Sequence, residues 1–210
     1  MPDPENVTGR LAGVNVSRET QERLEIHLAL LRKWNPKINL VSKSTLEDGW
    51  HRHIIDSVQV FKAAPPMVGT WVDFGTGGGF PGLVCAILAA ELSPTTEFVL
   101  VESDHRKCAF LRTLLAEVGL STRIESRRIE DLAPQNAGMI TARAVASLDR
   151  LFELSKPHLS QGGFCIFPKG ARHNLEIQAA SERWRFKLQR KPSITDPKGA
   201  ILVFGDIARV

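Results

Sequence analysis

The chain has 210 residues, is 43% hydrophobic and carries a formal charge of +4 with a pI near 9.1. That allows one α/β domain with a sizeable core and a small appendage, leaves two full domains cramped, and permits a polyanionic partner without requiring one. The longest apolar run, residues 83–90, is far shorter than the roughly 20 residues of a membrane-spanning helix, and residues 1–25 are polar without a signal-peptide core, so a cytoplasmic protein is expected. Cys85, Cys108 and Cys165 each sit in apolar surroundings with no C-x-x-C pair, which reads as reduced core thiols and no metal site.

Along the chain, Leu24, Leu28 and Leu31, widened by Leu30 and Trp34, predict an amphipathic helix over residues 17–34. Ser44 and Glu47 form a capping-box pattern for a second helix carrying Leu46, Trp50, Ile54, Val58 and Phe61, which stops before Pro65 and Pro66. No strand is expected among these helices, so residues 1–66 read as an all-helical N-terminal extension and residues 67–210 as the main domain. There, strands at 70–74, 97–101, 122–125, 139–142 and 164–167 alternate with helices at 81–91, 105–118 and 148–158, which predicts a parallel sheet with helices on both faces. In the tail, Trp184, Phe186 and Leu188 alternate with polar residues, and residues 201–204 can return beside them as an antiparallel edge.

The first strand of that domain runs into Val72-Asp73-Phe74-Gly75-Thr76-Gly77-Gly78-Gly79-Phe80-Pro81-Gly82. Glycines at alternate positions permit positive φ and close approach of a ligand, and Pro81 suits the first turn of a helix. A dinucleotide fingerprint would need glycine where Phe80 stands. The G-x-G-x-G run after Asp73 resembles instead the first motif of Rossmann-like S-adenosylmethionine-dependent methyltransferases. Glu102, at the end of the second strand, is placed to accept hydrogen bonds from both ribose hydroxyls of an adenosine. Asp73 is placed to face the cationic amino end of the cofactor, or to cap the following helix.

Further residues narrow the resemblance to a family. Trp34-Asn35 with Asn39-Leu40, Arg52-His53-Ile54 with Asp56-Ser57, the glycine run into Phe80-Pro81-Gly82, Arg128-Ile129-Glu130, Arg143-Ala144 and Lys169-Gly170 together resemble the bacterial 16S ribosomal RNA guanine-N7 methyltransferases, the RsmG or GidB family. The resemblance implies a class I S-adenosylmethionine-dependent methyltransferase fold and methyl transfer to N7 of a guanosine in 16S ribosomal RNA, free or in a small-subunit assembly intermediate. It places Gly75, Phe80, Ile129, Glu130 and Arg143 against the cofactor, beside the Asp73, Gly77, Gly79 and Glu102 read from the motif itself. Gly138 and Ala142 depart from the acidic residue and the serine that family members often carry around the fourth strand.

The chemistry the sequence permits agrees with that acceptor. An exocyclic amine calls for an Asn/Asp-Pro-Pro-aromatic stretch where Thr141-Ala142-Arg143-Ala144 stands, and pyrimidine-C5 transfer calls for a cysteine nucleophile beside proline, which is missing. Guanine N7 has a free lone pair and no proton, so no catalytic base is required, and Arg143 and Lys169 are the positioning candidates. Candidate RNA contacts are Arg123, Arg127, Arg128, Lys169 and the tail-strand cations Arg185, Lys187, Arg190 and Lys191. Tyrosine is absent, leaving stacking on an unpaired base to Phe or Trp. His51 and His53, two apart on a helix, point away from each other and do not make a metal pair, whereas His53 and Asp56 share a helix face and are read as pinning the extension to the domain. The competing readings are a small-molecule methyltransferase on the same fold and a cofactor-sensing RNA-binding protein without turnover.

Overall fold

The computed structural model describes residues 7–66 and 69–210. The expected start of the main domain at residue 67 lies outside the described residues. The extension opens with a hairpin of β1 (Val7–Leu11) and β2 (Val14–Ser17), turned at Ala12 and Gly13, both at positive φ. It corrects the all-helical expectation: its strands are only five and four residues long, and the Ala-Gly turn, which suits the twist of a hairpin, is what marks it in the sequence.

Next come α1 (Arg18–Ile38), α2 (Lys43–Glu47), a π-helical turn (Trp50–Ile55) and α3 (Asp56–Ala63). Helix α1 runs one turn beyond the predicted end because Asn39 closes it in the left-handed region and the Asn35 side chain accepts from Val41 N at 2.8 Å and donates to Val41 O at 3.1 Å. Ser42, not Ser44, caps α2, its Oγ accepting from Thr45 N at 3.3 Å. The single predicted helix is therefore three pieces. The wide turn between them brings Arg52, His53 and Asp56 to one end of the sheet, the usual context for such an irregularity.

The extension is tied down at Glu91. Its carboxylate accepts from Ser17 N, from Ser17 Oγ at 2.9 Å and from Thr20 Oγ1 at 2.6 Å, so a residue on the main domain satisfies the start of α1. Burial works to raise the carboxyl pKa, but the hydrogen bonds from Thr20 and Ser17 outweigh it and hold it below the ordinary value. Glu91→Ala is expected to cost about 2 kcal/mol, the value of losing charge-assisted hydrogen bonds at a helix start. An unfolding midpoint in urea equal to that of the unaltered protein would show that the extension docks without this clamp.

The main domain comprises β3 (Gly69–Phe74), α4 (Gly82–Leu92), β4 (Thr96–Val101), α5 (His105–Glu117), β5 (Arg123–Glu125), β6 (Ala137–Ala142), α6 (Leu148–Ser155), β7 (Leu159–Lys169), α7 (His173–Ser181), β8 (Trp184–Pro192) and β9 (Ala200–Arg209). The seven-stranded sheet has the order β5-β4-β3-β6-β7-β9-β8. Strands β3 to β7 are parallel, and β9 runs antiparallel to both neighbours, giving the expected Rossmann-like sheet with an antiparallel C-terminal edge. Strand alternation divides the core. Val72, Phe74, Val99 and Val101 face α6 and α7, while Trp71, Phe98 and Leu100 face the helices on the other side. Helix α4 is apolar all round because it lies between the sheet and the extension, with residues 82–89 all buried. The short helix α7, mostly polar and exposed, carries too little pattern to be predicted.

Candidate active site

The carboxyl ends of the parallel strands meet at the glycine loop. Strand β3 ends at Phe74, Thr76 N donates to Val101 O at 3.1 Å, and Gly79 N and Phe80 N both return to Thr76 O. Gly75, Gly77 and Gly79 all have positive φ. At Gly75 the need for glycine is steric as well: a Cβ would stand 2.8 Å from Val145 Cγ2. At Gly79 the neighbour is helix α1, with His27 Cε1 3.0 Å from a Cβ.

Two cavities open on either side of this loop and share Gly75 and Ala146 on their walls. The smaller, about 290 Å³, is lined by Gly75, Glu102, Arg127, Arg128, Ile129 and Glu130 among others. Glu102 is buried in its wall, with Oε2 accepting from Gly77 N at 3.0 Å and Oε1 from Asp104 N at 2.8 Å. Those two amides fix the carboxylate while each oxygen keeps a lone pair for a further donor. Ile129 and Glu130 lie in a 3-10 turn, Ile129–Asp131, on the same wall. A nucleoside fits this donor set, with an apolar side chain for the base and a fixed carboxylate for ribose hydroxyls.

The larger cleft, about 650 Å³, is lined by the glycine loop, the extension and the ends of β7 and β9. Phe80 is at its base, stacked between His27 (4.5 Å) and His53 (4.8 Å), with the Arg143 guanidinium 5.2 Å above the ring. Arg143 donates from Nη1 to Asp56 Oδ2 and Arg52 O, each at 3.2 Å, and from Nη2 to His53 Nδ1 at 3.0 Å. Since a guanidinium only donates, the His53 proton is on Nε2; since a carbonyl only accepts, His27 donates from Nε2 to Gly78 O at 2.7 Å. Burial first, and then the charge of Arg143, lower the His53 pKa to about 3, and burial lowers that of His27 to about 4, so both rings are neutral at pH 7. Burial also pulls the Arg143 pKa down, with Asp56 pulling it back.

Lys169 lines the same cleft, donating to Ala146 O at 2.7 Å and Glu176 Oε2 at 2.8 Å. Asp73 does not face either cavity. It is fully buried and accepts from Gly82 N, in the first turn of α4, at 3.0 Å and from Thr141 Oγ1 at 2.7 Å, the contact expected of a residue that caps that helix. Burial raises its pKa to about 6 against these hydrogen bonds. Gly79 lines neither cavity and serves the approach of α1. Ala142 is core, which leaves no polar contact there to lose.

The predicted RNA contacts separate into two groups. Arg127 and Arg128 border the smaller cavity, and Arg123, one strand-length back, pairs with Glu125 and Gln135. Arg185 and Lys187 are at the other end of the sheet. Pro192 pairs with Ala200, which pairs with Lys169, so at ~3.3 Å per residue Lys187 and Arg185 lie about 17 and 23 Å from that end. Arg190 is one register step out of phase with them and shares the face of Leu188. Sequence reasoning missed Arg52, Lys107 and the β8–β9 loop, whose Ser193, Thr195 and Asp196 line the cleft. Gln59 holds that loop, donating to Asp56 Oδ1, Ser193 Oγ and Thr195 Oγ1 and accepting from Ile194 N. A lone buried Gln on a helix gives no sequence signal for that task.

Residues 20–200 match the family model GidB, described as rRNA small subunit methyltransferase G. The chain belongs to that family. Among curated relatives it is 51% identical to ribosomal RNA small subunit methyltransferase G of Ruegeria pomeroyi, over 94% of this chain and 96% of the relative, and 44% identical to that of Paramagnetospirillum magneticum, over 92% of each. Solved structures with the same fold include a ribosomal protein L11 methylase from Lactobacillus delbrueckii subsp. bulgaricus (TM-score 0.57, 17% identity, 76% of this chain and 79% of that one). A methyltransferase from Pyrococcus furiosus gives a TM-score of 0.59 at 14% identity, over 88% and 96% of the two chains. The rRNA small subunit methyltransferase G family is thus the setting in which the two cavities are to be read. No helix among the described residues is long and apolar enough to cross a membrane, and no His, Cys, Asp or Glu cluster among them is arranged to hold a metal ion.

Proposed function

We propose that the chain transfers the methyl group of S-adenosylmethionine to N7 of a guanosine in 16S ribosomal RNA, free or within an assembling small subunit. The observation that carries the reading is the juxtaposition, across Gly75, of a cavity of about 290 Å³ walled by Glu102 with a cleft that holds the cationic donors Arg143 and Lys169. When bound, S-adenosylmethionine supplies an electrophilic methyl group on its sulfonium. Glu102 and the Ile129–Asp131 turn would hold the nucleoside part, with Gly75 on the wall common to this cavity and the cleft.

In the cleft the protein's work is alignment and exclusion of water. Arg143 and Lys169 are the donors available to a guanine edge, which offers N7 and O6 as acceptors. Methylation at N7 leaves the purine cationic, so unpaired cations would oppose it. Here Asp56 neutralises Arg143 and Glu176 neutralises Lys169, which keeps the donors without the repulsion. Neutral His27 and His53 fit the same requirement. Arg52 and Lys107, on the cleft wall without carboxylate partners among the described residues, are the proposed phosphate contacts, with Arg127 and Arg128 beyond them.

The test is incubation with methyl-labelled S-adenosylmethionine and unmodified small-subunit RNA, free or as assembled subunits, followed by chemical cleavage at N7-methylguanosine. One cleavage site is expected. Label without cleavage would move the acceptor atom, and no label on either substrate would favour a small-molecule acceptor. Glu102→Ala is expected to raise the KM for S-adenosylmethionine by roughly 10- to 100-fold, the worth of one or two charge-assisted hydrogen bonds, and to leave the KM for RNA unchanged.

A further inference from the structure

N7 of a guanine in an A-form helix faces a deep, narrow groove that side chains cannot enter. A guanosine whose N7 is to reach the floor of a cleft must leave its stack, and proteins that draw a nucleotide out commonly fill or prop the gap with an apolar side chain. An aromatic residue was the expected agent, yet every Phe and Trp among the described residues is buried or half-buried. The exposed large hydrophobics among those residues are Leu175 (64% exposed), Ile194 (57%) and Val210 (69%).

Two of these three are chain neighbours of residues on the cleft wall. Ile194 is between Ser193 and Thr195, both on the cleft wall, and Leu175 adjoins Glu176, which is on it too. Both segments meet Lys169 at the end of β7: Glu176 binds its Nζ, and a Cβ at Gly199, in the loop of Ile194, would stand 3.1 Å from Lys169 O. Neither is a loose surface residue. Ile194 N is held by Gln59 Oε1 at 3.0 Å, Thr195 Oγ1 by Asp56 at 2.7 Å and Thr195 O by Arg52 Nη1 at 3.2 Å. Glu176 likewise fixes the first turn of α7 by accepting from Lys169 and from Leu148 N at 3.1 Å. Single exposed aliphatics are ordinary; two on rigid supports beside one cleft, with polar residues on either side of each, are a placed pair.

We propose that Ile194 and Leu175 are the apolar contacts that prop open the RNA stack beside the target guanosine, Ile194 as the leading wedge. The inference rests on the proposed RNA substrate. Asp56 ties the wedge to the chemistry, since its Oδ1 accepts from Thr195 in the wedge loop and its Oδ2 from Arg143 in the cleft.

The experiment compares the full chain with Ile194→Ser, Leu175→Ser, their double variant, Ile194→Leu and the control Val210→Ser, all at exposed positions that leave the core intact. Each serine variant at the cleft is expected to lower kcat/KM for RNA roughly tenfold, the lower range for losing a stacking contact, with the KM for S-adenosylmethionine unchanged and Ile194→Leu and Val210→Ser near the unaltered protein. RNA carrying 2-aminopurine next to the target guanosine reports unstacking directly. Its fluorescence is expected to rise on binding the unaltered protein and to rise less with the double variant. A double variant that keeps both kcat/KM and the fluorescence rise would overturn the inference while leaving the RNA methyltransferase reading in place. Failure of the unaltered protein to methylate either RNA substrate would overturn that reading, and this inference with it.

Discussion

Gly82→Ala is expected to destabilise the protein by about 4 kcal/mol, adding overpacking of a dense core to the loss of a hydrogen bond at a buried carboxylate. Gly82 opens α4 directly behind the glycine loop, and a Cβ there would stand 2.4 Å from Asp73 Cβ and 2.5 Å from its Oδ2. Asp73 cannot withdraw. It is fully buried on β3, with one oxygen on Gly82 N and the other on Thr141, whose hydroxyl also accepts from Trp71 Nε1 at 3.0 Å. Since domains of this size are stable by only about 5 to 15 kcal/mol, such a loss approaches the whole margin. Gly119→Ala is the contrast: its φ of +65° is unfavourable for alanine, but nothing is within 4 Å of the new Cβ, so about 1 kcal/mol is expected. Urea unfolding of both variants separates the effects. Equal losses would mean that Asp73 yields to the new Cβ and that its contact does not make glycine necessary at position 82.

The same pair of residues shows how far a sequence can be read. That Asp73 and the glycines belong to one turn was legible, because a strand, an acid and alternate glycines form a local pattern. Which way the carboxylate turns was not, since that depends on Gly82 approaching closely enough to take one oxygen and on Thr141, from another strand, taking the other. The parallel sheet was legible for a similar reason: apolar strands buried on both faces and helices between them repeat at short range. Local signals failed where the deciding partner is remote. Glu91 completes the start of α1 from 71 to 74 residues away, and Gln59 holds the β8–β9 loop from about twice that distance. The long helix predicted after residue 44 breaks into three because its middle must deliver Arg52, His53 and Asp56 to Arg143, some 90 residues on. Periodicity records the core face of such a segment and is silent about its duty at the cleft.

Between pH 5 and 6, the stability of the protein is expected to fall as pH falls, and two substitutions should change that slope in opposite directions. His27 and His53 are neutral in the fold, with pKa values lowered to about 4 and about 3, and His158 is lowered by burial as well. In this window the unfolded chain protonates His27 and His53 at the ordinary value of 6.5 while the folded chain does not. The unfolded state thus binds more protons, and stability rises with pH. Asp73 acts the other way. Its pKa is raised to about 6 from 3.8 by burial, so the folded state binds the extra proton and this one group favours the fold as pH falls. Each proton of difference is worth about 1.4 kcal/mol per pH unit. His27→Gln, whose amide can still donate to Gly78 O, should remove about one proton and flatten the curve; Asp73→Asn should remove the opposing proton and steepen it. Denaturant unfolding of the three proteins at pH 5.0, 5.5 and 6.0 measures the slopes. A steeper curve for His27→Gln, or a flatter one for Asp73→Asn, would mean that these groups do not carry in the fold the protonation states that burial gives them.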